Sequence, residues 1–174
     1  MSILKVARMG HPVLRRSADA IPPDQITSPL VQGLIQDMLD TVLEYDGVGL
    51  AAPQVHHSIR LVLLCLDPEE GFEAWINPVL TPTTTEELVT TEGCLSIPGL
   101  RGDVSRPSGI RVEAYDHQGH AFERHLEGFS AVVAQHECDH LDGVLYIDKV
   151  DTKSLSFIEE FRRYATAVDD SPEE

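Results

Sequence analysis

Apolar residues recur at helical spacing through Leu30, Val31, Leu34, Ile35, Met38, Leu39, Val42 and Leu43, which predicts an amphipathic helix over about 28–45. Ser28 supplies a cap, Pro29 suits the first turn, and Gly47 supplies the stop. Beyond it the period shortens. IRLVLLCL (59–66), AWINPVL (74–80) and EELVTTEGC (86–94) read as strands. Pro78, which lacks a backbone donor, predicts an edge position for the second of them. RVEAYD (111–116) and AFERHLEG (121–128), joined by HQGH, predict a hairpin. Phe129, Val132, Val133, His136 and His140 then fall on one stripe of a second helix. Leu155, Ile158, Phe161 and Ala165 mark a C-terminal helix over 153–168, followed by an acidic tail at 169–174. No repeat, low-complexity tract or linker interrupts the chain. Residues 1–174 therefore predict a single α+β domain, with antiparallel sheets packed around a central helix.

That central helix carries His136-Glu137-Cys138-Asp139-His140, an H-E-x-x-H sequence within QHECDHLDG (135–143). Residues four apart lie one turn above each other on a helix, so two imidazoles can close on one metal ion. Glu137 follows the first ligand and can serve a polarised water without being a ligand itself. Two histidines leave a catalytic divalent ion one protein ligand short. Cys94, in Glu92-Gly93-Cys94-Leu95-Ser96, is the candidate third, a soft anionic donor suited to zinc or ferrous iron. GVGLAAPQ (47–54) combines small residues with Gln54, so an extended substrate can lie against the main chain beside an amide donor. Read alone, it is better taken as a plain turn between helix and strand.

Composition narrows the field. Thirteen Lys and Arg against 29 Asp and Glu give a formal charge of −16, which argues against nucleic-acid binding. No apolar run approaches the ~18 residues of a membrane span. The N-terminus lacks a secretory h-region, and three cysteines cannot all pair within one chain, so a cytoplasmic location is expected. Cys65, within LVLLCLD, reads as a core residue. Cys138 lies about 200° round the helix from His136 and reads as packing, not ligation. The remaining histidines read as surface residues.

In order, GVGLAAPQ, EGCLS and QHECDHLDG resemble the three signature motifs of peptide deformylases, and the resemblance extends over roughly residues 4–150. Arg8-Met9-Gly10-His11-Pro12 and IPGLRGDVSRP (97–107) are also similar to that family. The resemblance implies a hydrolase that removes the formyl group from N-formylmethionine at the start of new polypeptides. It implies Cys94, His136 and His140 as ligands of one divalent metal, Fe2+ with Zn2+ or Ni2+ as replacements. Glu137 is then the general base, with the Gln54 amide and the Leu95 N–H stabilising the oxyanion. It assigns Val48, Gly49, Glu92, Arg101, Phe129 and Val132 to substrate binding, with the narrow passage over Gly47 and Gly49 admitting formyl and excluding larger acyl groups.

Two other readings stay open on the residues alone: a small metallopeptidase, since H-E-x-x-H is shared by many, and a non-catalytic metal-binding domain. A structural zinc site would need a fourth protein ligand, and no second cysteine stands at a fitting spacing. The expected partners are nascent N-formylmethionyl peptides. The final helix has three cations between Lys153 and Glu174, against six acids, so any ribosome contact is expected to be weak and transient.

Overall fold

In the computed structural model, which describes residues 2–164, two antiparallel sheets enclose one helix. The first helix, α1 (Pro29–Glu44), starts as its sequence dictates, with the Ser28 hydroxyl accepting from the Val31 N–H at 3.4 Å. It buries Val31, Leu34, Met38 and Val42, whereas Leu30 and Leu43 face solvent. Gly47 is not its stop. Asp46 takes the left-handed turn (φ 57°), and the Gly47 N–H returns to the Val42 carbonyl at 3.0 Å. A short Asp side chain tolerates that conformation.

GVGLAAPQ is more than a connection. Its Gly49–Ala51 forms strand β1, followed by a 3-10 turn over Ala52–Val55. Strand β1 pairs with β2 (Leu61–Asp67) in a five-stranded sheet completed by β3 (Gly71–Pro82), β6 (Gly109–Tyr115) and β7 (Ala121–Glu127). The order is β1-β2-β3-β6-β7, so the Pro78 strand is central and not an edge. The register explains how: Ile76 faces Tyr115 but Val79 faces Glu113, a bulge that leaves Pro78 where the ladder is already interrupted. Asn77 (φ 53°) makes the bend and clamps both the N–H and the carbonyl of Ile21 at 2.8 Å.

The all-apolar run of β2 follows from being covered on both faces. Leu61 and Leu63 pack against α1, and Val62 and Leu64 point to the opposite side. There they meet helix α2 (Gly128–Leu141) through Ala131, Val133, Ala134 and Leu141. The second sheet, of order β4-β5-β8, contains β4 (Glu87–Cys94), β5 (Ile97–Pro107) and β8 (Ser156–Phe157). Two prolines and two glycines hid β5 from the periodicity reading.

Three further expectations change. α2 is not a helix with one apolar stripe: its residues from Ala131 to Leu141 are buried on nearly every side, because strands of both sheets contact it. Cys65 is partly exposed at the end of β2, not core. The C-terminal helix, α3 (Ile158–Tyr164), begins five residues later than predicted, since Ser156 and Phe157 pair with Arg101 and Leu100 instead. Residues 165–168 of the expected helix and the 169–174 tail lie outside the described residues. No described helix is long and apolar enough to cross a membrane.

Gly143, the last residue of QHECDHLDG, turns the chain away from α2 at φ 73°, and a Cβ there would lie 2.8 Å from the Arg15 carbonyl carbon. Gly143→Ala is therefore expected to cost about 1–3 kcal/mol in urea unfolding. Gly33→Ala, inside α1 with open space around it, is expected to be neutral or stabilising by up to ~1 kcal/mol. Equal effects at the two positions would refute the backbone argument.

Candidate functional site

The motifs separated in sequence meet at one cleft of about 820 Å³. Cys94 ends β4, and the two-residue turn Leu95–Ser96 follows it directly into β5. His136 and His140 sit one turn apart on α2 with rings 5.2 Å from centroid to centroid. One ligand atom from each of Cys94, His136 and His140 lies within 4.8 Å of the others, and Cys94 Sγ is 3.3 Å from His140 Nε2. These are the dimensions of a three-donor cradle for a single ion, with the cleft supplying access to a fourth position.

The electrostatics fit a cation. His136 Nδ1 is 2.7 Å from Glu92 Oε2, which directs its other nitrogen into the cleft. Burial works against a charge on His136, yet Cys94 and Glu92 outweigh it and push the imidazole up to about 10. A cluster with that pull on a buried proton calls for positive charge, which a divalent ion would supply as it displaces the proton. His140 is driven well below its ordinary value, first by burial and then by the charges of His136 and Arg106, so it offers a neutral imidazole. Three ligand atoms are one fewer than a structural zinc site uses, and Cys138 does not join them. Its thiol is buried, and burial pushes it far above its usual range.

Glu137 is 5% exposed, with Oε2 unpartnered among the described residues. Burial, helped by the Glu92 carboxylate and opposed by His136 and Arg106, raises its carboxyl to about 7. Gly49 makes room for it: a Cβ there would stand 2.6 Å from Glu137 Cγ and Oε1. Clearance for the carboxylate is thus one reason for glycine in this motif, beside any approach of substrate. Gln54, 1% exposed, is locked by the Ala51 N–H donating to its Oε1 at 2.8 Å. Its amide nitrogen in turn faces Cys94 Sγ at 3.5 Å and Ser96 Oγ at 3.2 Å.

Val48, Phe129 and Val132 line the cleft. Val132 is buried, while Val48 and Phe129 are 51% and 64% exposed at its mouth. Arg101 lies over the Phe161 ring at 5.3 Å and also lines the cleft. Glu92 also lines the cleft. Both carboxylate oxygens face inward, Oε1 to Arg106 Nε at 2.5 Å and Oε2 to Arg106 Nη2 at 2.9 Å and to His136. Arg106, which sequence reasoning missed, also donates to Asp139 at 2.8 Å, and Lys149 closes the chain at 2.8 Å. Its signal was its place in IPGLRGDVSRP, the segment similar to the family, in which Arg106 itself drew no role. Tyr146, stacked on His136 at 6.1 Å, carried no sequence signal.

A buried carboxylate beside a cation cradle, at the floor of an open cleft, is equipped to hydrolyse an acyl bond, which sets the chain among the H-E-x-x-H metal-dependent hydrolases. The Polypeptide deformylase family matches residues 3–155. A peptide deformylase of Prochlorococcus marinus is 44% identical over 167 residues, covering 90% of this chain and 86% of the relative. The crystal structure of a Thermotoga maritima peptide deformylase superposes with a TM-score of 0.81 at 38% identity, covering 87% of this chain and 99% of that one. An Acinetobacter baumannii class I type b deformylase bound to Met-Ala-Ser gives 0.81 at 33%, covering 86% and 100%. The chain belongs to the peptide deformylase family, a metal-dependent family, and removes the N-formyl group from nascent peptides.

Glu92 is held at about 2, because Arg106 and His136 overcome the cost of burying its charge. A carboxyl lowered from 4.5 adds stability that is complete above pH 4.5 and drains away toward pH 2. The stability gap between wild type and Glu92→Gln, measured by urea unfolding, is expected to be constant from pH 7 to 4.5. It should then narrow by up to about 3 kcal/mol at lower pH. A pH-independent gap would refute the assignment.

Proposed function

We propose that deformylation in this chain runs at a ferrous ion held by Cys94, His136 and His140, with Glu137 as the proton carrier. The observation that carries the reading is the convergence of those three ligand atoms within 4.8 Å beside a buried carboxylate raised to about 7. A thiolate with two imidazoles suits Fe2+, with Zn2+ or Ni2+ able to replace it. When bound, the ion supplies Lewis acidity toward water and toward the formyl oxygen.

The chain's own groups do the rest. Water adds to the formyl carbon and its proton passes to Glu137, the buried carboxylate at the cleft floor. The C–N bond then breaks, and Glu137 delivers the proton to the leaving amine, giving formate and a free methionyl N-terminus. Negative charge gathers on the formyl oxygen during attack. Gln54, pre-aimed by the Ala51 N–H, and the Leu95 N–H beside Cys94 are the donors for it. Val48, Phe129 and Val132 offer the apolar wall for methionine, and Gly49 keeps the carboxylate and the formyl passage clear. Binding of Met-Ala-Ser by the Acinetobacter relative supports a short N-terminal peptide as the occupant.

In this reading residues 1–174 act as one catalytic domain in the cytoplasm, consistent with three free cysteines. Contact with the ribosome is weak and salt-labile, since α3 sets Arg162 and Arg163 beside Glu159 and Glu160.

Glu137→Gln is expected to keep one metal equivalent while lowering formate release from a formyl-methionyl tripeptide by about 100-fold or more. Near-normal turnover would reject Glu137 as the proton carrier. Cys94→Ala is expected to lose metal on dialysis, whereas Cys65→Ala and Cys138→Ala retain it by elemental analysis. Equal retention in all three would reject the ligand set.

A further inference from the structure

The cleft is cationic in a strongly acidic protein. Of the 13 Lys and Arg residues, seven are engaged in ion pairs among the described residues: Arg15, Arg60, Arg106, Arg111, Arg124, Lys149 and Arg163. Six have no ion pair there, and four of those, Lys5, Arg8, Arg101 and Arg162, line the one cleft that holds the metal cradle. They arrive from three separate parts of the fold: the N-terminal segment, strand β5 and helix α3. With 29 acids in the chain, leaving four cations unneutralised around a single opening is a concentrated feature.

The acids at the cleft do not cancel them. Glu92 is consumed by Arg106 and His136, and Glu137 is buried at the floor beside the ligands. That leaves Asp46. α3 contributes directly: Ile158 and Arg162 face the cleft, and Phe161 supports the Arg101 guanidinium from below at 5.3 Å. A guanidinium laid on an aromatic ring keeps its N–H edge free for a carboxylate.

Resting on the deformylase reading, we propose that this rim selects among formyl-methionyl chains, favouring those with Asp or Glu side chains in the residues just after the first two. Arg101 and Arg162 are the specificity-determining residues, with Lys5 and Arg8 extending the field across the opening. The sign of the effect is diagnostic. A net charge of −16 would by itself draw basic peptides and repel acidic ones. Only the local rim reverses that order.

The test compares C-terminally amidated formyl-Met-Ala-Asp-Asp, formyl-Met-Ala-Ser-Ser and formyl-Met-Ala-Lys-Lys on the metal-loaded enzyme. Exposed ion pairs each give a few-fold effect at most, so several together should favour the acidic over the basic peptide by about tenfold in kcat/KM at low salt. The difference should lie in KM and shrink as salt shortens the Debye length from ~30 Å at 0.01 M to ~8 Å at 0.15 M. Arg101→Gln/Arg162→Gln should bring the ratio toward one, and Arg16→Gln/Lys153→Gln, which removes two cations away from the cleft, should leave it unchanged. Titration with the formyl-free peptides gives the same comparison as Kd values without any turnover. Failure to deformylate any of the peptides would therefore count against the enzymatic reading, while the binding order still decides this one. Equal affinities, a preference for Lys-Lys, or an acidic preference that survives the double cleft variant would overturn it.

Discussion

The bidentate pair between Glu92 and Arg106, buried at the join of β4, β5 and α2, is the interaction on which the catalytic geometry rests. Its carboxylate spans two tasks, neutralising Arg106 and fixing the His136 ring through Nδ1. Arg106 in turn grips Asp139, one helical turn beyond His136 on α2, so sheet and helix are locked at the level of the three-donor cradle. Buried ion pairs of this kind contribute little net stability compared with apolar packing, but losing one partner costs about 3–5 kcal/mol. Their value here is positional. The clamp ties the strand that ends in Cys94 to the helix that carries His136, 42 residues further along the chain.

Around that clamp, most of the chain acts as scaffolding with clear causes. β2 is apolar on both faces because α1 covers one and α2 the other. α2 is covered by both sheets, which makes its polar residues expensive unless they are satisfied or used. Glu137 and His140 each keep an atom unpartnered among the described residues; Glu137 lines the cleft and His140 is one of the three cradle donors. Burial is what separates the Glu137 carboxylate from the many solvated acids of the surface.

The chemistry was legible in sequence to a greater degree than the packing. H-E-x-x-H fixes its own geometry, because four residues make one helical turn, and EGCLS marks the thiol by its neighbours. The boundaries of α1 and the β6–β7 hairpin could also be read, as each rests on local periodicity. What could not be read was set by tertiary context. Pro78 occupies a central strand only because Asn77 bends the chain beside it, and no local pattern announces that. β5 lacks apolar alternation in part because Gly102 gives way to Val150 and Leu155 on other elements. The motif marks Glu92, but not the partners that hold it. Those partners, Arg106 and His136, are 14 and 44 residues away.

That separation has a bearing on how a newly made copy comes to be competent. α2 alone displays two histidines, and the β4–β5 hairpin alone displays one sulfur, so neither piece can retain an ion firmly. The cradle exists only once hairpin and helix have docked, with Cys94 and His140 brought together across 46 positions of chain. An ion that needs all three donors can therefore be held only by a molecule whose assembly is complete.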